Sequence, residues 1–215
     1  MKLTRIDLYN LALGNIKIGR KVGSLDDETT REFQLPQNYD VTLATLMSMH
    51  DWSFAAVPAK LARVAGSAVW RQMRTPWVYG WAYPADCVRM LEIGMVLLGE
   101  DGAAGADELY DFSQDWPWHV ENGATGRIIR TYHDHACARY LSDAISVSDW
   151  PATFVAAFTW ALASNITRAN NADDGDADYR MKQAEYYIHQ ARIADANEMG
   201  AVAPRRGGWL EARQG

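Results

Sequence analysis

The sequence has little that would tie it to chemistry, to a membrane or to nucleic acid. Cysteine is scarce: Cys87 and Cys137 are the only two in 215 residues. A chain this long builds a core without a disulfide staple, and two reduced thiols facing that core are the simplest reading. Met1 is followed by mixed polar and apolar residues rather than a basic segment and an apolar run, which argues against a signal peptide. The richest apolar stretch, Phe154 to Ile166, is broken by polar residues and too short to span a bilayer, so no membrane partner is expected. Also missing are a Gly-x-x-x-x-Gly-Lys-Ser/Thr phosphate loop, a Gly-x-Gly-x-x-Gly dinucleotide turn and a Gly-x-Ser-x-Gly elbow. Ser113 has no neighbouring His/Asp pattern that would activate it. The expectation is a structural protein rather than an enzyme, with no catalytic residue, metal or cofactor of its own. Basic residues are outnumbered, 21 against 27 acidic ones, for a formal charge of −6. Phosphate backbones are gripped by Lys and Arg, so such a surface suits DNA that passes without sticking.

What the chain has in quantity is amphipathic aromatic residues. Nine Trp and ten Tyr outnumber five Phe, and such rings are favoured at the centres of buried interfaces, although cores also take them when their polar atoms are paired. Trp70, Trp77, Tyr79, Trp81 and Tyr83 crowd a segment too broken by Gly and Pro for a plain core helix. They are the first candidates for contacts between subunits.

Helical signals dominate both ends. Thr4 to Gly14 reads as a short helix with a Thr cap and a Gly stop. Ser24 or Asp26 caps a second helical region, which Pro36 should kink or split, and Tyr39, Leu43, Leu46 and Met47 carry it to about His50. Near the other end, Ser148 or Asp149 caps a helix with Pro151 near its first turn and Phe154, Phe158 and Leu162 on one face. A polar loop at Asn170–Asp178 leads to a last helix that ends at Gly200, striped by Met181, Ala184, Ile188, Ala191 and Asp195. These two helices should pack antiparallel, with Phe154, Phe158 and Leu162 facing Met181, Ala184 and Ile188.

The middle reads as strands. Cys87–Ile93 fits one, Trp118–Asn122 and Arg127–Tyr132 flank a Gly-containing turn, and His135–Leu141 continues either as another strand, the preferred reading, or as a short helix. Gly99–Gly105 reads as an exposed loop. The fold class is therefore mainly α: a helical bundle with an inserted β-rich region and an extended C-terminal tail. Residues 1–69 and 149–200 form the bundle, 70–148 the insertion and 201–215 the tail. Pro204, Gly207 and Gly208 keep the tail from continuing the helix, and Arg205, Arg206, Trp209 and Arg213 make it a second candidate for partner contacts.

The strongest metal-like cluster is His133-Asp134-His135, since on a strand residues 133 and 135 share a face. His50, His119, Cys137 and Asp143 are available as further ligands, but their spacing proposes no set. Two hydrogen-bonded or partly exposed histidines are the plainer reading; the rival is a metal-assisted hydrolase using His133 and His135. Asp26/Asp27 and Asp173/Asp174 are read as capping and solvated residues, and Asn165-Ile166-Thr167 lies in a predicted helix.

Three stretches carry a resemblance. The first comprises Leu11-Ala12-Leu13-Gly14, Gly19, Ser24-Leu25-Asp26-Asp27, Tyr39-Asp40 and His50-Asp51-Trp52-Ser53-Phe54-Ala55. The second is Gly80-Trp81-Ala82-Tyr83-Pro84-Ala85-Asp86-Cys87-Val88-Arg89-Met90-Leu91-Glu92. The third runs from Tyr140-Leu141 through Asp149-Trp150-Pro151, Phe154, Ala157 and Leu162 to Gln183-Ala184-Glu185, Ala191-Arg192 and Asp195-Ala196. In order and spacing they resemble the head-to-tail adaptor family of short-tailed bacteriophages, also called tail tubular protein A. The resemblance implies a virion protein of the neck, assembled in the host cytoplasm. It implies a ring, usually of twelve copies, each a helical bundle with an inserted β-rich region, between portal protein and tail nozzle protein, extending the DNA channel and commonly offering its outside to tail fibres. Twelve copies at −6 each carry a formal charge of −72, which would let DNA slide past. A small monomeric helical scaffold or regulatory adaptor is the alternative from the binding class.

Overall fold

A computed structural model of the chain describes residues 3–64, 79–97, 109–114, 116–123, 126–170 and 174–198. Helix α1 (Arg5–Asn15) starts with a reciprocal capping box: Thr4 Oγ1 accepts from the Asp7 N–H, and the Asp7 carboxylate accepts from the Thr4 N–H. It runs one residue past Gly14, and Lys17 at φ 65° makes the left-handed exit expected of that glycine. Helix α2 (Glu28–Glu32) is capped by Asp27, not by Ser24 or Asp26, because the Asp27 carboxylate reaches the N–H groups of both Thr29 and Gly23. Pro36 does split this region. Gln34 takes a left-handed conformation, and α3 (Leu35–Ser48) begins with Pro36 in its first turn, where a missing N–H breaks no helical bond.

Beyond α3 a 3-10 turn at Ser53–Ala55 feeds a strand region: β1 (Ala56–Lys60), β2 (Tyr79–Ala82), β3 (Cys87–Leu97), β4 (Leu109–Asp111), β5 (His119–Gly123), β6 (Gly126–Thr131) and β7 (Ala136–Ser142). Among the described residues all pairings are antiparallel, in two sheets ordered β1-β7-β3-β4 and β2-β6-β5. The hairpin expected around the glycine turn is β5–β6, closed by the pair Gly123↔Gly126. One boundary is corrected. The strand region begins at Ala56 rather than residue 70, since β1 pairs with β7 from Ala56↔Leu141 to Lys60↔Cys137. Pro58 hides this strand in the sequence, yet an edge strand tolerates a missing donor. Past β1 the chain bridges the two sheets: Leu61 N–H donates to the Ala136 carbonyl, and Ala62 and Val64 bond to the β2 residues Ala82 and Gly80. The result is a curled sheet set into a helical bundle.

The bundle closes with α4 (Ala152–Ala169) and α5 (Asp174–Glu198), preceded by a 3-10 turn at Val147–Asp149 that Ser146 caps. Ser148 and Asp149 lie inside that turn and so do not cap α4; Pro151 stands at its N-cap. The connection expected across Asn170–Asp178 is shorter, because α5 already begins at Asp174, with Asp176 in its first turn, where an acidic group meets the positive end of the helix. The two helices run antiparallel. Ser164 Oγ donates to the Ala177 carbonyl at 2.9 Å and Arg168 pairs with Asp178 at 2.7 Å, while Phe154, at the other end, lines a small cavity with Ala191 and Asp195. Phe154 thus faces Ala191 and Asp195 rather than Met181; Phe158 and Leu162 share their core with Ala184 and Ile188, with Met181 at its margin.

Two cores result. The larger, in the bundle, centres on an edge-to-face aromatic chain from Tyr9 through Tyr39, Phe158, Trp150 and Phe154 to Trp52. The smaller lies among the strands and holds Leu61, Trp81, Ile93, Ile129, Ala136, Ala138 and Tyr140. Strand β7 serves both: Ala136, Ala138 and Tyr140 point into the small core, and Leu141 points into the large one. Among the described residues no helix is long and apolar enough to cross a membrane.

Candidate functional site

Of the aromatic contact candidates, the structure describes Tyr79, Trp81 and Tyr83; Trp70, Trp77, Arg205, Arg206, Trp209 and Arg213 lie outside the described residues, as do the expected tail and the Gly99–Gly105 loop. Trp81 is corrected from contact residue to core residue. It is 4% exposed, and its indole N–H donates to Thr131 Oγ1 at 3.0 Å. The alternation of β2 explains this: Trp81 faces inward opposite Ile129, despite the Gly and Pro around it.

Tyr79 and Tyr83 remain half-buried at the edge of the small core, each under an arginine. The Arg63 guanidinium lies 4.9 Å from the Tyr79 ring centroid, and Arg127 lies 3.8 Å from that of Tyr83. Both arginines are exposed. The stacking holds two cationic forks in fixed positions on the module surface, able to meet carboxylates or aromatic faces of a partner. Behind Tyr83, Cys87 Sγ lies 3.2 Å from its hydroxyl. Burial is the main cause that pushes the Tyr83 phenol up to about 12, and burial likewise raises the Cys87 thiol and takes Cys137 to about 11. Arg127 pulls the Cys87 thiol the other way, but burial outweighs it, so neither thiol is activated as a nucleophile.

His133 and His135 fall in the connection between β6 and β7 rather than on a strand, so the shared face assumed for them is absent. His133 is stacked edge-on against Trp116 at 4.0 Å, and His135 Nε2 lies 3.8 Å from the Asp134 carboxylate. Among the described residues no three His, Cys, Asp or Glu side chains come together so as to hold a metal ion.

Two polar clusters flank the joint, one tying α5 to the segment that leads into β1 and one lying within the module where β7 returns. At the exit from α3, Asp195 is only 4% exposed. Its Oδ1 accepts from the Ser53 N–H at 2.8 Å and the Ser53 hydroxyl at 2.6 Å, and its Oδ2 lies 3.0 Å from His50 Nε2. The residue types are those of a hydrolytic triad, but the connectivity is not. Both His50 and Ser53 bond to the carboxylate, so the hydroxyl proton is held by Asp195 rather than offered to the imidazole. At the return point, Asp86 accepts from the Ser142 hydroxyl at 2.5 Å and from the Tyr140 hydroxyl at 3.1 Å. The Ser142 bond chiefly keeps the Asp86 carboxyl below its usual range. Between these clusters Arg89 on β3 pairs with Asp51 at 3.0 Å.

No protein-family model and no curated protein matches this chain.

Proposed function

We propose that the chain is a structural subunit of a head-to-tail adaptor ring. In this reading copies of it, twelve in the closed ring, join a portal protein to a tail nozzle protein and extend the DNA channel, and tail fibres take the outside. The subunit performs no chemistry of its own. The observation that carries the reading is where the three resembling stretches meet. Tyr39 stacks on Trp150 and touches Phe158, Trp52 packs on Phe154, Asp86 receives Tyr140 and Ser142, and Arg89 reaches Asp51. The aromatic-ring contacts lie within the bundle, the Asp86 contacts lie within the strand module, and the Arg89–Asp51 pair crosses between them. Stretches far apart in sequence thus build a helical bundle, a β-rich insertion and a tie across their joint, which is the architecture the resemblance implies. The acidic balance supports a channel past which DNA moves freely.

The test is electron microscopy of the full chain mixed with the portal protein of the same virus, or of whole virions. A ring coaxial with the portal is expected. A chain that never joins portal or virion sinks the reading.

A further inference from the structure

The outer side of α5 carries Tyr179, Tyr186 and Ile193, which are 57%, 58% and 46% exposed. Seven residues apart, they form one line along the helix. The stripe lies on the opposite side from Ala177, Ala184, Ile188 and Ala191, which face the core. Tyr187 braces the Tyr186 ring edge-on at 5.3 Å. Elsewhere on the bundle, α3 and α5 leave a groove between them. Val41, Thr45 and Met49 form one wall, Met181 and Ile188 the other, with Ala161 and Asn165 of α4 also lining it. From Val41 to Met49 there is no charged residue, although Val41 is 62% and Met49 45% exposed. A helix face that stays in water normally carries charge.

Size decides what the groove takes. Its volume is about 120 Å³, below the roughly 300 Å³ at which ligand pockets begin. It is close to the roughly 150 Å³ of an apolar cavity that admits one benzene ring. The groove therefore fits a single aromatic side chain. The stripe offers two such side chains, but it points away from the core that the groove borders, so a chain cannot fill its own groove with its own stripe. Charge agrees with a second copy as occupant. Asp40, the one charged residue of α3, stands beside Val41; Arg5 holds its Oδ1 at 3.0 Å, yet the carboxylate stays 71% exposed and open to a second cation, and Lys182 stands beside Tyr179 and Tyr186.

Resting on the reading of the chain as a self-assembling subunit, we propose that the α5 stripe of one copy docks into the α3–α5 groove of the next. Two different patches meeting head-to-tail are what a ring requires. Aromatic side chains bury roughly 150–250 Å² each, well under the roughly 800 Å² per partner of a stable interface. The contact is therefore weak alone and holds when many copies close together.

Cross-linking in the full-length chain tests this. One chain carries Tyr186→Cys, another Thr45→Cys, and the parent with its own two thiols sets the background. Under mild oxidation at high protein concentration, the mixture is expected to form the mixed disulfide faster than either variant alone, and a chain bearing both changes should give a ladder of multimers. Equal rates for Tyr186→Cys alone would mean that the stripe pairs with itself. No cross-link above the parent would mean that the groove is filled by another protein or by residues 199–215 of the same chain. Either result overturns the proposal. As a second measurement, Tyr186→Ser and Val41→Asp should each weaken self-association about tenfold or more by sedimentation, with unchanged melting. Unchanged association in both overturns it too. The ring reading is judged separately: rings on the portal without the cross-link sink the docking alone, and the cross-link without rings sinks the ring alone.

Discussion

The bundle and the strand module use aromatic residues in opposite ways. In the bundle, rings pack on rings: Trp52, Phe154 and Phe158 are fully buried, and Trp150 and Tyr39 touch Phe158 at about 5 Å. In the module the buried rings of Trp81 and Tyr140 sit among small neighbours such as Ala136 and Ala138, while Tyr79 and Tyr83 lie at the rim beneath arginines. The bundle is thus a self-sufficient core, with stability distributed over many contacts. The module has a thin core of its own and borrows the rest by sharing β7 with the bundle.

The largest test of that contrast is Phe158→Ala. Losing a fully buried ring from the centre of the aromatic chain should lower stability by about 3–5 kcal/mol, read from denaturant unfolding. An unchanged midpoint would mean that the bundle is not the self-sufficient half. Next, Asp195→Ala leaves the Ser53 N–H without its acceptor and removes the partner of His50. A loss of about 2–3 kcal/mol is expected, with a change in Trp52 fluorescence, since the His50 ring lies 4.8 Å from that indole. Stability within error of the parent would show that the joint is held by packing alone. Within the module, Thr131→Val keeps the shape but strands the Trp81 indole N–H, for about 1–2 kcal/mol. Hydrogen exchange should then quicken in β2, β5 and β6 while α4 stays slow; equal quickening everywhere would erase the distinction between the two cores.

The smallest effect concerns the strand that both cores share. Burial favours the neutral Cys137 thiol in the fold, so the unfolded chain ionises first. That contribution is complete below pH 9.0 and is lost as pH rises towards about 11. Cys137→Ala should flatten the decline of melting temperature across this window, and parallel curves for parent and variant would refute the assignment.

The contrast also explains what could be read from sequence. Phe154, Phe158 and Leu162 recur at helical spacing, and Gly123 to Gly126 punctuates two alternating runs, so the late helices and the hairpin were legible from local pattern. Trp81 was not, because the surrounding Gly80 and Pro84 suggested a loop while its burial depends on Ile129, far away in the chain. Asp195 falls on the apolar stripe of α5, and its partners His50 and Ser53 lie 145 and 142 residues away. No spacing rule reaches that far. The paired histidines at 133 and 135 failed for a simpler reason: the geometry assumed for them belongs to a strand, and the chain turns there instead.

The start of β1 and the end of β7 are hydrogen-bonded neighbours, with Ala56 directly across from Leu141. The whole excursion between them therefore leaves and re-enters the bundle at one place, and from the bundle's side it is equivalent to a hairpin. Strands and loops added or removed beyond that paired stem change neither the spacing nor the direction of the two attachment points. The reach of the module can be lengthened, shortened or regrafted to suit a new neighbour while the helices beneath it keep the same sequence.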